Sequence, residues 1–339
     1  MMSGPIRMTL QEAEGLAMDA LVACRTSPDT ARATARALVQ AEADGQKGHG
    51  LSRVPCYAAQ SRNGKVDGFA RPSVRKLAPS VLRVDAAHGF AYPALDLAVA
   101  EIAPLARSQG IALATIHRSH HFGQAGAVVE RLADRGLVGL LLGNAPKAMA
   151  FWGGRQPMIG TNPVAIAAPV PEGPPLVIDM ALSQVARGKV MAAQQVGEPI
   201  PEGWALDPDG NPTTDAAAAL KGSMLPIGGA KGAALALMVE VLSAALTSSH
   251  FGWEASSLLD DVGPPPDLGQ TLVAIDPAPS SEGGFLSRMG DLIAAFAREP
   301  GVRPPGSRRL ENRARAAREG ITLPPTLHAE ILSLLEAAA

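Results

Sequence analysis

The chain has 339 residues, of which 47% are hydrophobic, 4% aromatic and only 18% charged, and its formal net charge is −2. That length excludes a single small module, the apolar and alanine-rich composition excludes disorder, and the lack of a cationic field excludes a nucleic-acid backbone as an expected partner. Cys24 and Cys56 are too few for a disulfide framework and show no Cys-x-x-Cys spacing, so a reducing cytoplasm without metal or thiol redox chemistry is expected.

Met1 to Leu10 has no apolar core of signal-peptide length, which predicts an unexported chain. Thr9-Leu10-Gln11-Glu12 predicts a capping box opening a first helix, and Ser27-Pro28 supplies the N-cap and first-turn proline of a second. After a glycine-rich segment, Val81 to Val84 predicts a strand, Pro93 opens a helix to about Ser108, and Ile111 to Ile116 is apolar enough for a buried strand. A helix from Ala125 to Asp134, a strand from Leu137 to Leu142 and apolar runs at Val164 to Ala168 and Leu176 to Ile178 make the middle of the chain mixed α and β. Asp207 to Pro212 is dense turn chemistry, and Thr271 to Ile275 is a late strand. The alanine-rich run Lys231 to Leu246 predicts a buried helix, interrupted by Glu240 and so unsuited to crossing a membrane. Pro304-Pro305-Gly306 breaks the chain before a charged helix from Arg308 to Arg318, and Pro324-Pro325 precedes a last amphipathic helix.

Neither a Gly-x-Gly-x-x-Gly after a strand nor a Gly-x4-Gly-Lys-Ser/Thr is present, so any nucleotide must be held another way. Gly160-Thr161-Asn162-Pro163 and Gly228-Gly229-Ala230-Lys231-Gly232 are turns that could approach a phosphate closely. The second of them opens a helix and adds Lys231, although each alone is also an ordinary glycine-rich corner. His121, in Ser119-His120-His121-Phe122-Gly123, follows a strand, where α/β proteins expose functional side chains, and is a candidate general acid. Arg53 lies four residues beyond His49, so a helical segment would let both line one cleft, the guanidinium gripping a carboxylate bidentately. Asp179 could orient a histidine or a bound ligand, or cap a following helix. His88, His250 and His328 default to structural or surface roles.

These segments, with Tyr57, Asp179-Met180-Ala181-Leu182-Ser183, Pro212-Thr213-Thr214-Asp215 and Pro305-Gly306, resemble the malate/L-lactate dehydrogenase type-2 family. That family also contains ureidoglycolate and sulfolactate dehydrogenases and the Δ1-piperideine-2-carboxylate/Δ1-pyrroline-2-carboxylate reductases, and the resemblance spans nearly the whole chain. It implies a homodimeric NAD(P)-dependent oxidoreductase of mixed α/β, non-Rossmann fold. A largely antiparallel cofactor-binding sheet with flanking helices would be joined to a helical region formed by both chain ends. Residues 1–118 and 300–339 would form that terminal, dimerising region, and 119–299 the NAD(P)-binding domain.

By the same resemblance His121, His49 and Asp179 are catalytic, and Arg53 with His49 holds a small carboxylate substrate. Asn144, Ala145, Thr161, Asp179, Met180, Ala181, Lys231, Gly232, Gly306, Ser307 and Arg308 would contact the cofactor. Arg308 and Arg309 could meet a 2′-phosphate, which favours NADPH over NADH, or form an exposed cationic helix start. Gly48 stands where most members have serine, Ala145 where a hydroxyl residue is common, Phe151 in place of a frequent proline and Ser307 in place of a frequent acid. The reaction implied is hydride transfer to or from C2 of a 2-oxo/2-hydroxy acid of malate, lactate or sulfolactate type. Reduction of a cyclic imino acid is the alternative, and a catalytically silent dinucleotide-binding protein is a third possibility.

Overall fold

A seven-stranded sheet organises the computed structural model, which describes residues 4–336; residues 1–3, part of the segment read above for an export signal, and 337–339 lie outside it. Its strands run in the order Ser73–Ala78, Val81–Asp85, Ile111–Ser119, Leu268–Ile275, Val138–Gly143, Val164–Ala168 and Leu176–Met180. Every neighbouring pair is antiparallel except Val81–Asp85 against Ile111–Ser119, and that parallel pair is connected by the crossover helix Ala91–Gln109. Ala94, Ala98 and Ala106 on that helix, and Ala112 and Ala114 on the sheet, are fully or almost fully buried, so small side chains let helix and sheet approach closely around Leu82, Val84, Ile102, Ile116, Leu132, Leu141 and Leu272.

The two ends of the chain share a second core. Helices Leu10–Ala23, Pro28–Ala43 and Val54–Arg62 pack with Ser307–Glu319 and Pro325–Glu336 around Leu21, Leu38, Leu51, Val54, Tyr57 and Ile331, and strand Ile6–Met8 pairs with Ile321–Leu323. The first helix opens as its sequence predicts: Thr9 N–H donates to Glu12 Oε2 at 2.7 Å while Glu12 N–H donates back to Thr9 Oγ1 at 3.2 Å. A smaller five-stranded sheet, built from short strands between Met149 and Met224, carries a third core around Met149, Leu182, Val190 and Met224.

Four local expectations change. Lys47–His49 and Leu51–Arg53 form two 3-10 turns rather than an α-helix, and the α-helix begins at Val54. The strand from Ile111 extends to Ser119, and the one from Leu176 extends to Met180, so Asp179 lies within a strand and caps no following helix. The alanine-rich run divides into an α-helix, Ala230–Val239, and a π-helical turn, Glu240–Ala245. It is not buried all round: Met238 and Val241 are each 55% exposed, with Leu235, Leu237 and Leu246 exposed beside them. Among the described residues no helix is long and apolar enough to cross a membrane.

Candidate active site

Strand Ile111–Ser119 delivers His120 and His121 at its C-terminal end. A Cβ at Gly143 would collide with the Phe122 ring, so the absence of one lets Phe122 pack on the end of Val138–Gly143, the second strand over from Ile111–Ser119. Opposite stands the turn that carries His49. Buried Glu42 accepts from Leu51 N–H at 3.1 Å, and a side chain at Gly50 would displace that carboxylate, so glycine there preserves the contact. The turn stacks the His49 ring on that of His121, with centroids 5.2 Å apart and planes 20° from parallel. Arg53 follows, half-buried, its Nε donating to Gly48 O at 2.7 Å.

One helical turn after Arg53, the Tyr57 hydroxyl meets His121 Nδ1 at 2.5 Å and the Tyr92 hydroxyl at 3.2 Å. A hydroxyl both donates and accepts, so Tyr57 can hold either neutral tautomer of His121, and Nε2 is the ring nitrogen left for a ligand. Burial pushes His121 well below its ordinary value of 6.5, and the charges of Arg53, His49 and His120 push the same way. Burial and then Arg53 take His49 down to about 4, while burial, Lys65 and Arg53 take His120 down to about 3. No carboxylate acts on any of the three, and Arg53 acts on all of them. His120 sits edge-on to the rings of Tyr57 and Phe90, a packing role, so of the two adjacent histidines only His121 faces His49.

Asp179 Oδ2 accepts from Gly126 N–H at 2.8 Å, in the first turn of helix Ala125–Ala133 where the dipole favours a carboxylate. Burial raises its pKa, against the Gly126 N–H, Arg309 and a hydrogen bond from Gln46.

Segments far apart in sequence are stitched together beside this cluster. Leu182 N–H donates to Thr161 O at 2.7 Å, Ile227 N–H to Leu182 O at 2.9 Å, and Ala145 N–H to Asn162 Oδ1 at 3.2 Å. Asn144–Ala145, Thr161, Asp179–Met180–Ala181 and the turn before Lys231–Gly232 are thereby neighbours. Gly228 and Gly229 both have positive φ, 62° and 64°, a conformation that other residues adopt at a cost, and they lead into helix Ala230–Val239 with Lys231 exposed at its start. Two glycines in these motifs serve the protein itself. A Cβ at Gly160 would collide with the Ala145 carbonyl and one at Gly232 with the Ile227 carbonyl, so both glycines are required by backbone packing.

Further along, Gly306 (φ 83°) turns the chain close to the Val177 carbonyl on the strand of Asp179, and Ser307 Oγ donates to Pro304 O at 2.6 Å. Arg308 is exposed, and among the described residues it makes no ion pair. Arg309 is not available for a 2′-phosphate: it is buried and grips Glu130 bidentately at 2.6 and 2.9 Å, with Asp44 at 3.6 Å. The Asn144 side chain is likewise spent inside, Nδ2 on His250 O at 2.7 Å and Oδ1 on Gly269 N–H at 3.0 Å, and its N–H donates to Gly269 O at 3.3 Å, so this buried residue shapes the segment from within. Tyr57 was given no role from the sequence, although it stands four residues beyond Arg53, the spacing that aligns one helix face. A cavity of about 510 Å³, lined by Arg107, Asp134, Asp276 and Phe285 among others, includes none of these residues.

A profile of the malate/L-lactate dehydrogenase family matches residues 8–332. The chain is 52% identical over 324 residues to the (2R)-3-sulfolactate dehydrogenase (NADP+) of Chromohalobacter salexigens, covering 96% of each chain. It is 42% identical over 334 residues to the Δ1-pyrroline-2-carboxylate/Δ1-piperideine-2-carboxylate reductase of Pseudomonas aeruginosa, covering 98% of this chain and 100% of that one. The crystal structure of the Δ1-piperideine-2-carboxylate reductase of Pseudomonas syringae superposes with a TM-score of 0.91 at 37% identity, covering 98% of this chain and 100% of that one.

Proposed function

Because the chain belongs to the malate/L-lactate dehydrogenase family, we propose that it is an NADP(H)-dependent oxidoreductase acting at C2 of a small 2-hydroxy or 2-oxo acid that carries a second acidic group, as sulfolactate and malate do. The observation that carries the substrate class is Arg53, which is half-buried, follows the turn that stacks His49 on His121, and among the described residues forms no ion pair. Its charge also helps hold all three histidines in the neutral form. Such a site favours an anion and gives no stabilising partner to the protonated nitrogen of a cyclic imino acid.

The residues present fit a nicotinamide dinucleotide. Two left-handed glycines lead into a helix N-terminus with an exposed lysine, a ready arrangement of N–H groups and charge for a diphosphate, and Gly228 has open space on its Cβ side. Lys231, the Asn144–Ala145 segment, Thr161 and the Asp179–Ala181 run would line the cofactor, with Gly306–Ser307 closing one end and exposed Arg308 the candidate for a 2′-phosphate. The scaffold would be the largely antiparallel sheet rather than a Rossmann fold. The chemistry supplied by a bound nicotinamide is hydride exchange at C2.

The chain's own residues do the rest. Arg53 grips the C1 carboxylate, and His49, stacked on His121, faces the second acidic group. In the oxidative direction neutral His121, with its Nδ1–H donated to Tyr57, takes the C2 hydroxyl proton at Nε2. In the reductive direction the imidazolium returns that proton to the forming alkoxide. A substrate anion offsets Arg53 and so raises His121 toward the protonated form that reduction needs. Asp179 holds the start of helix Ala125–Ala133 in register through the Gly126 N–H.

The exposed apolar face of Ala230–Ala245 supports a homodimer, and two free cysteines support a reducing cytoplasm. Reduction of cyclic imines is the second reading, favoured by the identity to the Pseudomonas reductase over the full chain. The test is NADPH and NADH oxidation against sulfopyruvate, oxaloacetate, pyruvate, Δ1-pyrroline-2-carboxylate and Δ1-piperideine-2-carboxylate. Turnover of the dicarboxylic or sulfonated oxo acids is expected. Turnover confined to the imines would move the protein to the second reading. His121→Ala should cost about 10²–10⁴-fold on an oxo acid and far less on an imine, which arrives already protonated.

A further inference from the structure

Glu240 is the lone acid in the apolar run, and it is 1% exposed at the point where the α-helix gives way to the π-helical turn. Among the described residues no cation pairs with it. Instead four N–H groups from separate segments converge on its two oxygens. Oε1 accepts from Asn162 Nδ2 at 2.9 Å and Gly160 N–H at 3.4 Å, while Oε2 accepts from Gly252 N–H at 3.2 Å and Asn144 Nδ2 at 3.5 Å. Asn162 relays the contact. It is held at φ 41°, its Nδ2 also donates to Ala236 O at 2.9 Å, and its Oδ1 accepts from Ala145 N–H at 3.2 Å.

A buried carboxylate without a counter-ion is an expensive way to fill space, since an apolar residue of similar volume would cost nothing in desolvation. What only an acid can do here is accept at both oxygens from donors that have no other way to be aligned. π-Helical turns cluster at functional sites, and this one places that acid behind the Asn144–Ala145 and Gly160–Asn162 segments. We propose that Glu240 is a positioning residue for the dinucleotide: by fixing Asn162 and Asn144 from behind, it sets the wall against which the cofactor lies, and hence the affinity for NADPH. The proposal rests on the reading of those segments as cofactor-contacting.

Glu240→Gln keeps the shape and one acceptor but turns an NH2 group toward N–H donors. Asn162→Gly keeps the acid, tolerates the positive φ and removes only the relay. NADPH affinity of the full chain is read from quenching of tryptophan fluorescence, because Trp152 lies against Gly229 in the proposed phosphate turn. Both variants are expected to raise the Kd for NADPH about 10-fold or more. They should also raise the KM for NADPH while kcat at saturation is nearly held, a split that loss of folded protein would not produce. An unchanged Kd in folded Glu240→Gln, whatever its melting temperature, overturns the proposal, and an unchanged Kd in Asn162→Gly does so if the first variant does not fold. Wild-type protein that binds neither NADPH nor NADH overturns the cofactor reading and this proposal with it, whereas wild-type binding with both variants unaltered overturns this proposal alone.

Discussion

Tyr57 and His121 are 64 residues apart in sequence and share the shortest contact in the histidine cluster. The tyrosine's worth lies in its hydroxyl, which can take a proton from Nδ1 or offer one as the reaction runs either way. Tyr57→Phe removes that partner while keeping the packing against Phe90 and Tyr92. It should lower kcat at least about 10-fold with little change in the KM for the acid, as measured by steady-state kinetics in both directions. The pH dependence follows from the same residue. Because His121 is pushed below 6.5, its basic form persists as pH falls, so kcat/KM for oxidation should stay level down through 6.5 and decline only below it. Arg53→Ala removes one cause of that depression and should move the acid limb upward; a wild-type limb at or above 6.5 would sink the account. His49, Arg53 and His121 were visible in the sequence as candidates because each stands in a compact motif. Tyr57's role was not visible, since it depends on a contact that only the packing of helix Val54–Arg62 against the end of Ile111–Ser119 creates.

Elements whose start is written locally were legible: Thr9 with Glu12 and Ser27 with Pro28 specify helix openings without help from the rest of the chain. Helix Val54–Arg62 was hidden by the two 3-10 turns that lead into it and by Pro55. The Ser73–Ala78 strand, mostly exposed, carries no apolar alternation to betray it. The alanine-rich helix was placed correctly along the chain but wrongly in space, because composition shows that a face is apolar and not what covers it. Glycines were the opposite case, conspicuous in sequence while their packing duty was hidden. Gly232 was read for its approach to a cofactor, and its missing Cβ also makes room for the Ile227 carbonyl. Gly232→Ala should therefore displace the start of Ala230–Val239, lowering stability by about 1–3 kcal/mol in thermal melts and weakening NADPH binding together with it. A variant with wild-type melting would show that the turn yields more easily than its geometry implies.

At the scale of the molecule, Leu235, Leu237, Met238 and Val241 leave an apolar face on the outside of a helix whose inner face carries Glu240. If two copies meet there, Met238→Glu should convert a dimer into a monomer in light scattering and weaken NADPH binding as well; an unchanged mass would place the subunit contact elsewhere. The terminal core has a different reach. Ile6–Met8 is paired with Ile321–Leu323, and Arg313 bridges Asp44 and Glu130, so the helices flanking His49 and Arg53 are completed by residues near the other end of the chain. During synthesis those helices emerge from the ribosome about 250 residues before the segments that complete them. A chain stopped before Ser307 could thus build much of the central sheet but not the packed turn that stacks His49 on His121, which makes chemical competence contingent on translation having passed the helix of Arg313.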